Sequence, residues 1–315
     1  MKTKVSLLKK TAQELTKRLR DCDICPRECH INRSSGRGFC KAAVDINVYT
    51  VFKHTGEEPG ISGPGGSGTI FFSGCSLQCA YCQNYRFSHL LSGKDINIDQ
   101  LSSIMLKLKK IGADNINLVT PTHYLPQIIE AIAQATEKGM DLPIVYNSSG
   151  FEKKDVIAML DGIIDVYLTD IKYIDDNTAM RFSHANNYVE NSLASTLEMY
   201  KQKPKIINDD RGIMTSGLII RHLVLPGKIE ESKKIISWIN KNTPYALASI
   251  MFQYQPYDNA NQIPELNRNL TRNEYEAIKE FCEESSINGF IQDFSPEEKL
   301  AGPYFQSNIE EFLAL

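Results

Sequence analysis

Three cysteines stand together in Gly74-Cys75-Ser76-Leu77-Gln78-Cys79-Ala80-Tyr81-Cys82, spaced C-x3-C-x2-C. Grouped thiolates are soft ligands, suited to zinc, copper(I) or an iron–sulfur cluster. A closed structural site takes four ligands. After Cys82 no cysteine follows until Cys282. The trio therefore reads as an incomplete set that leaves one coordination position open. Chemistry needs such a position and a structural staple avoids it. The competing reading is a structural metal that borrows its fourth ligand from upstream.

Four more thiols lie upstream. Cys22, Cys25, Cys29 and Cys40 are spaced C-x2-C-x3-C-x10-C in turn-rich sequence containing Gly36 and Gly38. This clustering predicts a second metal site. Zinc would close tetrahedrally on four thiolates, and an additional [4Fe–4S] cluster would use the same four. The spacing does not separate the two, and free thiols are the plain alternative. His30 stands nearby as a substitute ligand, but four cysteines suffice and a solvated loop histidine is the simpler assignment.

The chain around these sites has ordinary globular usage. Its 315 residues are 42% hydrophobic and 23% charged, with a formal net charge of −3. That balance gives no nucleic-acid footprint. No apolar run approaches the ~18 residues that a membrane span needs. Met1 to Arg20 is charged throughout and has no apolar core of a signal peptide. A cytoplasmic, non-membrane chain is expected, in which eight cysteines serve metals more readily than disulfides.

The elements that must position the thiols follow from periodicity. Val5, Leu8, Leu15 and Leu19 share one face of an N-terminal amphipathic helix, expected to pack on the body rather than on a membrane surface. Val44, Ile46 and Val48 alternate as a short strand. The glycine-rich run Gly60 to Gly68 contains a formal G-x-G-x-x-G. It precedes a strand and opens no helix, so it is no dinucleotide motif. It reads as a flexible loop delivering the chain to the first strand near the metal. From Thr69 onward strands alternate with helices. Strands are predicted at 69–73, 115–119, 144–146, 163–168, 218–223 and 249–254, with a weaker one at 289–292.

Helical stripes lie between them. Asp99 is the expected N-cap of Leu101, Ile104, Met105, Leu108 and Ile111. The others are Leu125, Ile128, Ile129 and Ile132; Leu193, Leu197 and Tyr200; Ile235, Ile236 and Ile239; and Tyr275, Ile278 and Phe281. Cys282 shares the last face and reads as a core thiol. Six βα units argue for an α/β fold with a parallel sheet curling into a partial (βα)6 barrel. Residues 1–68 would form the N-terminal metal segment and lead-in, and residues 69–315 the core with its C-terminal extension.

In such sheets function collects at the C-terminal ends of strands. The first strand ends in the cysteine loop. Later ends carry Thr120-Pro121-Thr122-His123-Tyr124, Asn147-Ser148-Ser149-Gly150, Thr169-Asp170-Ile171-Lys172, Arg221-His222 with Leu225-Pro226-Gly227, and Gln253-Tyr254. Together they describe a polar cavity over the trio. Asp170 and Lys172 have equal parity and should point the same way.

The C-x3-C-x-aromatic-C after a strand resembles the signature of the radical S-adenosylmethionine (SAM) enzymes. The resemblance implies that Cys75, Cys79 and Cys82 hold three irons of a [4Fe–4S] cluster. The fourth iron would take the amino and carboxylate groups of SAM, and Tyr81 would lie against the adenine. The reduced cluster would then split SAM into methionine and a 5′-deoxyadenosyl radical that abstracts hydrogen from a substrate. Asp170-x-Lys172 and Arg221 with Pro226-Gly227 are similar to motifs of the glycyl-radical-enzyme activases, where the Asp-x-Lys pair lies near the SAM carboxylate and a monovalent cation. Asn147 to Gly150 resembles their third-strand segment.

Over most of its length the chain is closer to a pyruvate formate-lyase activase-related family of uncertain function. That family pairs C-x2-C-P-R-x-C with Gly66-Ser67-Gly68-Thr69, Cys82-Gln83-Asn84-Tyr85 and Thr120 to Tyr124. Two departures stand out. Thr120-Pro121-Thr122 replaces the superfamily's Gly-Gly-Glu SAM-amine motif, which makes Thr122 the cofactor-binding candidate there. The four-cysteine segment precedes the barrel, whereas activases place extra clusters after the trio.

The resemblance implies SAM contacts from Thr122, Asn147, Asp170, Lys172 and Arg221, and an electron donor such as flavodoxin or ferredoxin. A partner protein would be the substrate of an activase. A radical SAM enzyme acting on a small molecule or another macromolecule is the second reading. A non-enzymatic iron–sulfur electron carrier is the third, and a carrier has no need of a barrel after its cysteines.

Overall fold

The apolar runs become strands of one open sheet in the computed structural model, which describes residues 2–294 and 305–314. The strands are β1 (Ile46–His54), β2 (Ser67–Phe72), β3 (Lys94–Ile96), β4 (Asn115–Val119), β5 (Ile144–Ser148), β6 (Val166–Asp170), β7 (Ile207–Asn208), β8 (Met214–Leu223), β9 (Leu247–Met251) and β10 (Gly289–Ile291). Their order is β10-β9-β8-β6-β5-β4-β2-β1-β3, with β7 paired to β8 beside this path. Every pairing from β2 to β10 along that path is parallel. β4, β5 and β6 are buried at all positions, as strands covered on both faces must be. The terminal strands β3 and β10 do not pair with each other, so the barrel stays open as expected.

The sheet is larger than the sequence suggests. β1 runs to His54 and pairs antiparallel with β2, and β3 extends that edge. The first six residues of β1 are all buried, including Asn47 and Thr50, so no alternation marks its continuation past Val48. A boundary at residue 68 falls inside β2 and leaves β1 in the same sheet as the core. β6 starts at Val166 and not at Ile163. Ile163 and Ile164 are buried turn residues, and a continuous apolar run does not separate turn from strand.

The helix Lys2–Arg18 buries Leu8, Thr11, Ala12 and Leu15 and packs against the helix Leu125–Glu137. Among the described residues no helix is long and apolar enough to cross a membrane. Asp99 is not the N-cap. Asn97 accepts from the Gln100 backbone N–H at 2.8 Å, and the Gln100 side chain accepts from the Asn97 N–H at 2.9 Å. This capping box leaves Asp99 in the first turn, where its charge suits the helix dipole. In the helix Tyr188–Gln202 the buried face is Ser192, Ser195, Thr196 and Met199, while Leu197 is exposed. Small hydroxyl residues centre that face, with Leu193 and Tyr200 half-buried against the core at its edge, so of the expected stripe Leu197 alone points outward. Cys282 is buried as expected.

The glycine-rich run lies at the start of β2, away from the cysteines. A Cβ on Gly65 would sit 2.3 Å from the Gly112 carbonyl, and one on Gly63 would sit 2.1 Å from the Ile213 side chain. The expectation of a flexible lead-in near the metal is therefore corrected. These glycines permit close packing at the barrel's lower end.

Candidate active site

β2 delivers the chain straight into the cysteine loop. Cys75 and Cys79 are buried and Cys82 is half-buried. All three line one cavity of about 260 Å³ together with Tyr81, Asn147, Asp170, Lys172 and Arg221. The Leu77 N–H points to Cys75 Sγ at 3.3 Å, and Cys82 Sγ lies 3.2 Å from Ser88 Oγ. Burial pushes the Cys75 thiol up to about 11 and the Cys82 thiol up to about 12. Binding iron removes those protons. Among the described residues no group of three or more His, Cys, Asp or Glu meets the geometry of a single-ion site. In a cluster each thiolate takes its own iron, so the thiols need not converge on one point. Three soft donors on one wall, polar groups across from them and no fourth cysteine in the lining fit a [4Fe–4S] cluster with one open iron.

The opposite wall comes from adjacent parallel strands. Asp170 of β6 and Arg221 of β8 are direct register partners. Arg221 Nε donates to Asp170 Oδ1 at 2.8 Å, and its Nη2 donates to Asn147 Oδ1 at 2.7 Å. Lys172 Nζ donates to the other oxygen, Asp170 Oδ2, at 2.6 Å. Burial opposes the charge on Asp170, but Arg221 and Lys172 outweigh it and hold the carboxyl below its ordinary value. Burial likewise opposes the Lys172 charge, and Asp170 raises its pKa above the ordinary value. One carboxylate thus fixes two cations, and the expected pairing of Asp170 with Lys172 is made just past the end of β6.

Tyr81 is buried beside the trio, its hydroxyl 2.9 Å from that of Tyr173 and its ring 5.8 Å from that of Tyr254. Gln253 and Tyr254 line the cavity from just past β9. Thr122 does not line it. Its hydroxyl donates to Glu152 Oε1 at 2.7 Å, and Thr120, with φ +57°, occupies the cavity wall.

Sequence reasoning missed three groups. Arg27 lies beneath the cysteine loop. Its guanidinium donates to the carbonyls of Ser76 at 2.7 Å, Leu77 at 3.2 Å and Ser183 at 2.9 Å, and also to His184 O. The Phe39 ring covers it at 3.8 Å. The Cys-Pro-Arg run was visible, but its target was not. Glu152 is 1% exposed, and burial pushes its carboxyl up to about 7 against hydrogen bonds from Thr122 and Tyr146. Glu57 and Glu58 line the cavity floor, and no motif announces them.

The four upstream cysteines form a knot beside this loop. Cys22, Cys25 and Cys40 are buried and Cys29 is half-buried, and none is in a disulfide. The backbone closes on itself through Cys22 N–H to Ile31 O at 2.9 Å and His30 N–H to Cys22 O at 3.0 Å. Gly38 lies against both Cys29 and Cys40, since a Cβ there would be 3.4 and 3.6 Å from their sulfurs. His30 turns to Asp21 at 3.2 Å, on the exposed side. Gly74, with φ +85°, lets the knot reach the trio: a Cβ would sit 2.5 Å from the Cys40 carbonyl.

The sequence profile of the Radical SAM superfamily matches residues 69–239, just over half of the chain. The chain belongs to the radical SAM superfamily. It is similar to an uncharacterized protein of Methanocaldococcus jannaschii, 32% identical over 280 residues that cover 85% of this chain and 76% of that protein. It is also similar to a pyruvate formate-lyase-activating enzyme of Clostridium pasteurianum, 28% identical over 130 residues, or 39% of this chain and 53% of that enzyme. Methylornithine synthase is a solved structure with a TM-score of 0.47 and 12% identity, covering 99% of this chain and 89% of that one. Radical SAM membership implies a [4Fe–4S] cluster and SAM, and it makes the chain an enzyme.

Proposed function

We propose that this radical SAM enzyme cleaves SAM reductively at Cys75, Cys79 and Cys82 and abstracts a hydrogen atom from its substrate. The observation that carries the proposal is the cavity in which the three thiols face Asn147, Asp170, Lys172 and Arg221. When bound, the cluster and SAM supply a 5′-deoxyadenosyl radical on receipt of one electron. Lys172 and Arg221 are the cations for the SAM carboxylate, and Asp170 fixes their geometry. Tyr81 offers its ring to the adenine. The buried walls keep competing hydrogen donors out. The electron comes from a donor such as flavodoxin or ferredoxin. Cys22, Cys25, Cys29 and Cys40 are the proposed ligands of a second metal, zinc or an additional cluster. The packing of Gly38 against the Cys29 and Cys40 sulfurs supports it, and a cluster, which takes one thiolate per iron, does not need the single-ion geometry that no group of the described residues meets. The activase-like reading of the substrate rests on the partial similarity to the Clostridium enzyme and on Asp170-x-Lys172. A small cationic substrate is favoured by one observation of its own, the carboxylates on the cavity floor. The test is anaerobic reconstitution with iron and sulfide, reduction, and assay of 5′-deoxyadenosine. Wild type should form it and Cys75→Ala should lose both the cluster and the product. Product at the wild-type rate from Cys75→Ala overturns the proposal.

A further inference from the structure

The chain between β1 and β2 closes the bottom of the barrel. Ile61 is buried with Val145, Val166, Leu168, Met214 and Ile219. Its N–H donates to Glu58 O at 3.0 Å, and the Met214 N–H donates to Gly60 O at 2.7 Å. This anchored turn carries Glu57 and Glu58 into the cavity floor. Each side chain is only 9% exposed.

Among the described residues the ion pairs of both glutamates run to Arg221, and they are long. Arg221 lies 3.9 Å from Glu57 Oε2 and 3.8 Å from Glu58 Oε1, beyond hydrogen-bond length. Its short bonds go to Asp170 and Asn147. Lys172 is likewise engaged by Asp170. The Glu57 and Glu58 carboxyls lie against each other, and Asn117, a fully buried β4 residue, lies against Glu57. Glu58 Oε2 and the Asn117 amide oxygen are buried without a well-formed hydrogen bond. A buried carboxylate without a partner is costly, and a polar site built this way is complete only with a donor in it.

We propose that Glu57 and Glu58, with Asn117 beside them, form a subsite that receives a cationic nitrogen, an alkylammonium or guanidinium group, on the floor of the radical SAM cavity. Carboxylate oxygens accept from such a cation with short, charge-assisted bonds. The carbonyl of Asn117 takes a further N–H. Burial pushes Glu58 up to about 7 in the cation's absence, against the pull of Arg221. Two sources carry the required chemistry: the α-ammonium of SAM and an amine on the substrate. The subsite rests on the radical SAM reading for the naming of these two sources.

The test uses the holoenzyme with its cluster reconstituted anaerobically. Calorimetric titrations measure SAM, then n-butylamine with and without saturating SAM, and n-butanol as the neutral control. Wild type should bind the amine and not the alcohol. Glu57→Gln/Glu58→Gln keeps shape but removes charge, and should weaken the cationic ligand at least tenfold, the loss expected for a charged hydrogen bond. Loss of amine binding with SAM affinity within twofold assigns the subsite to the substrate. A tenfold loss in SAM affinity in the double variant, with saturating SAM displacing the amine from wild type, assigns it to SAM. Equal binding of amine and alcohol by wild type, or no change in either titration in the double variant, overturns the proposal. The single Gln variants, checked by thermal melting, serve if the double variant fails to fold. The titrations need no turnover, so absence of 5′-deoxyadenosine from wild type would reject the radical reading without touching them.

Discussion

Asp170→Ala removes one carboxylate and leaves two buried cations without their closest anion. Lys172 and Arg221 lie 2.6 and 2.8 Å from its two oxygens. The Asp170 side chain is 11% exposed and both cations are 17% exposed. A surface pair would contribute about 0–1 kcal/mol. Stripping one partner from a buried pair costs about 3–5 kcal/mol, because a charge remains unmatched. At about 2–4 °C per kcal/mol for a domain of this size, the melting temperature should fall by about 6–20 °C.

The same substitution frees the two cations to move, and a lost charged contact to bound SAM costs about 1.5–3 kcal/mol. The dissociation constant for SAM should therefore rise about ten- to hundredfold, with iron content unchanged. The pH dependence has a definite sign. Asp170 is held below its ordinary value, so its stabilisation is present above the unfolded value near 3.9 and lost as pH falls through the lower folded one. The assays are anaerobic thermal unfolding and SAM titration of wild type and variant. A melting shift under about 2 °C together with SAM affinity within twofold refutes the argument, since that is what a solvated pair would give.

Three other predictions follow from the structure. Replacing Cys22, Cys25, Cys29 and Cys40 together should remove one zinc or one cluster of iron by metal analysis and lower stability, since binding at such a site is coupled to folding; an unchanged metal count rejects the second site. Arg27→Ala leaves four carbonyls without their donor and should cost about 3 kcal/mol or more, with faster iron loss on anaerobic chelator challenge; Arg27→Lys should not restore it, because an ammonium lacks the planar fork of donors. Glu152 is raised by burial to about 7, so the folded state holds a proton that the unfolded chain releases near 4.3. Its stabilisation is complete below that value and lost as pH rises to 7, a drop of about 3 kcal/mol that Glu152→Gln should abolish in denaturant titrations.

What the sequence could show follows from which physical signals are local. C-x3-C-x2-C and the ends of β5, β6 and β8 were legible because chain order and strand parity alone place them. Asn147, Asp170 and Arg221 meet on the cavity wall for that reason, and Lys172, two residues past the end of β6, is held there by its bond to Asp170. Thr122 failed because the turn Thr122–Tyr124 rotates it onto Glu152, and parity arguments end with the strand. β1 beyond Val48 was hidden because both faces are buried and the alternation vanishes. Glu57 and Glu58 carry no periodicity or motif. Their site depends on Ile61 plugging a barrel built by strands far away in the chain.

The charges of the cavity tie these pieces together. With Glu57 and Glu58 both ionised, Lys172 and Arg221 meet the three carboxylates of Asp170, Glu57 and Glu58, and among these five described residues one negative charge is in excess. An oxidised [4Fe–4S] cluster held by three thiolates adds another. SAM, with one carboxylate, one ammonium and one sulfonium, returns a single positive charge. One negative charge is still unmatched in a site where burial makes that expensive. Either a proton on Glu58 or a cation on the substrate restores the balance. A cation does so and also gives the unpartnered Glu58 Oε2 and Asn117 amide oxygen a donor, which a proton shared within the carboxylates cannot supply to both. The charge count thus points the same way as the proposed subsite at Glu57 and Glu58, and the titrations of SAM and n-butylamine decide whether the ammonium of SAM or a substrate amine supplies the cation.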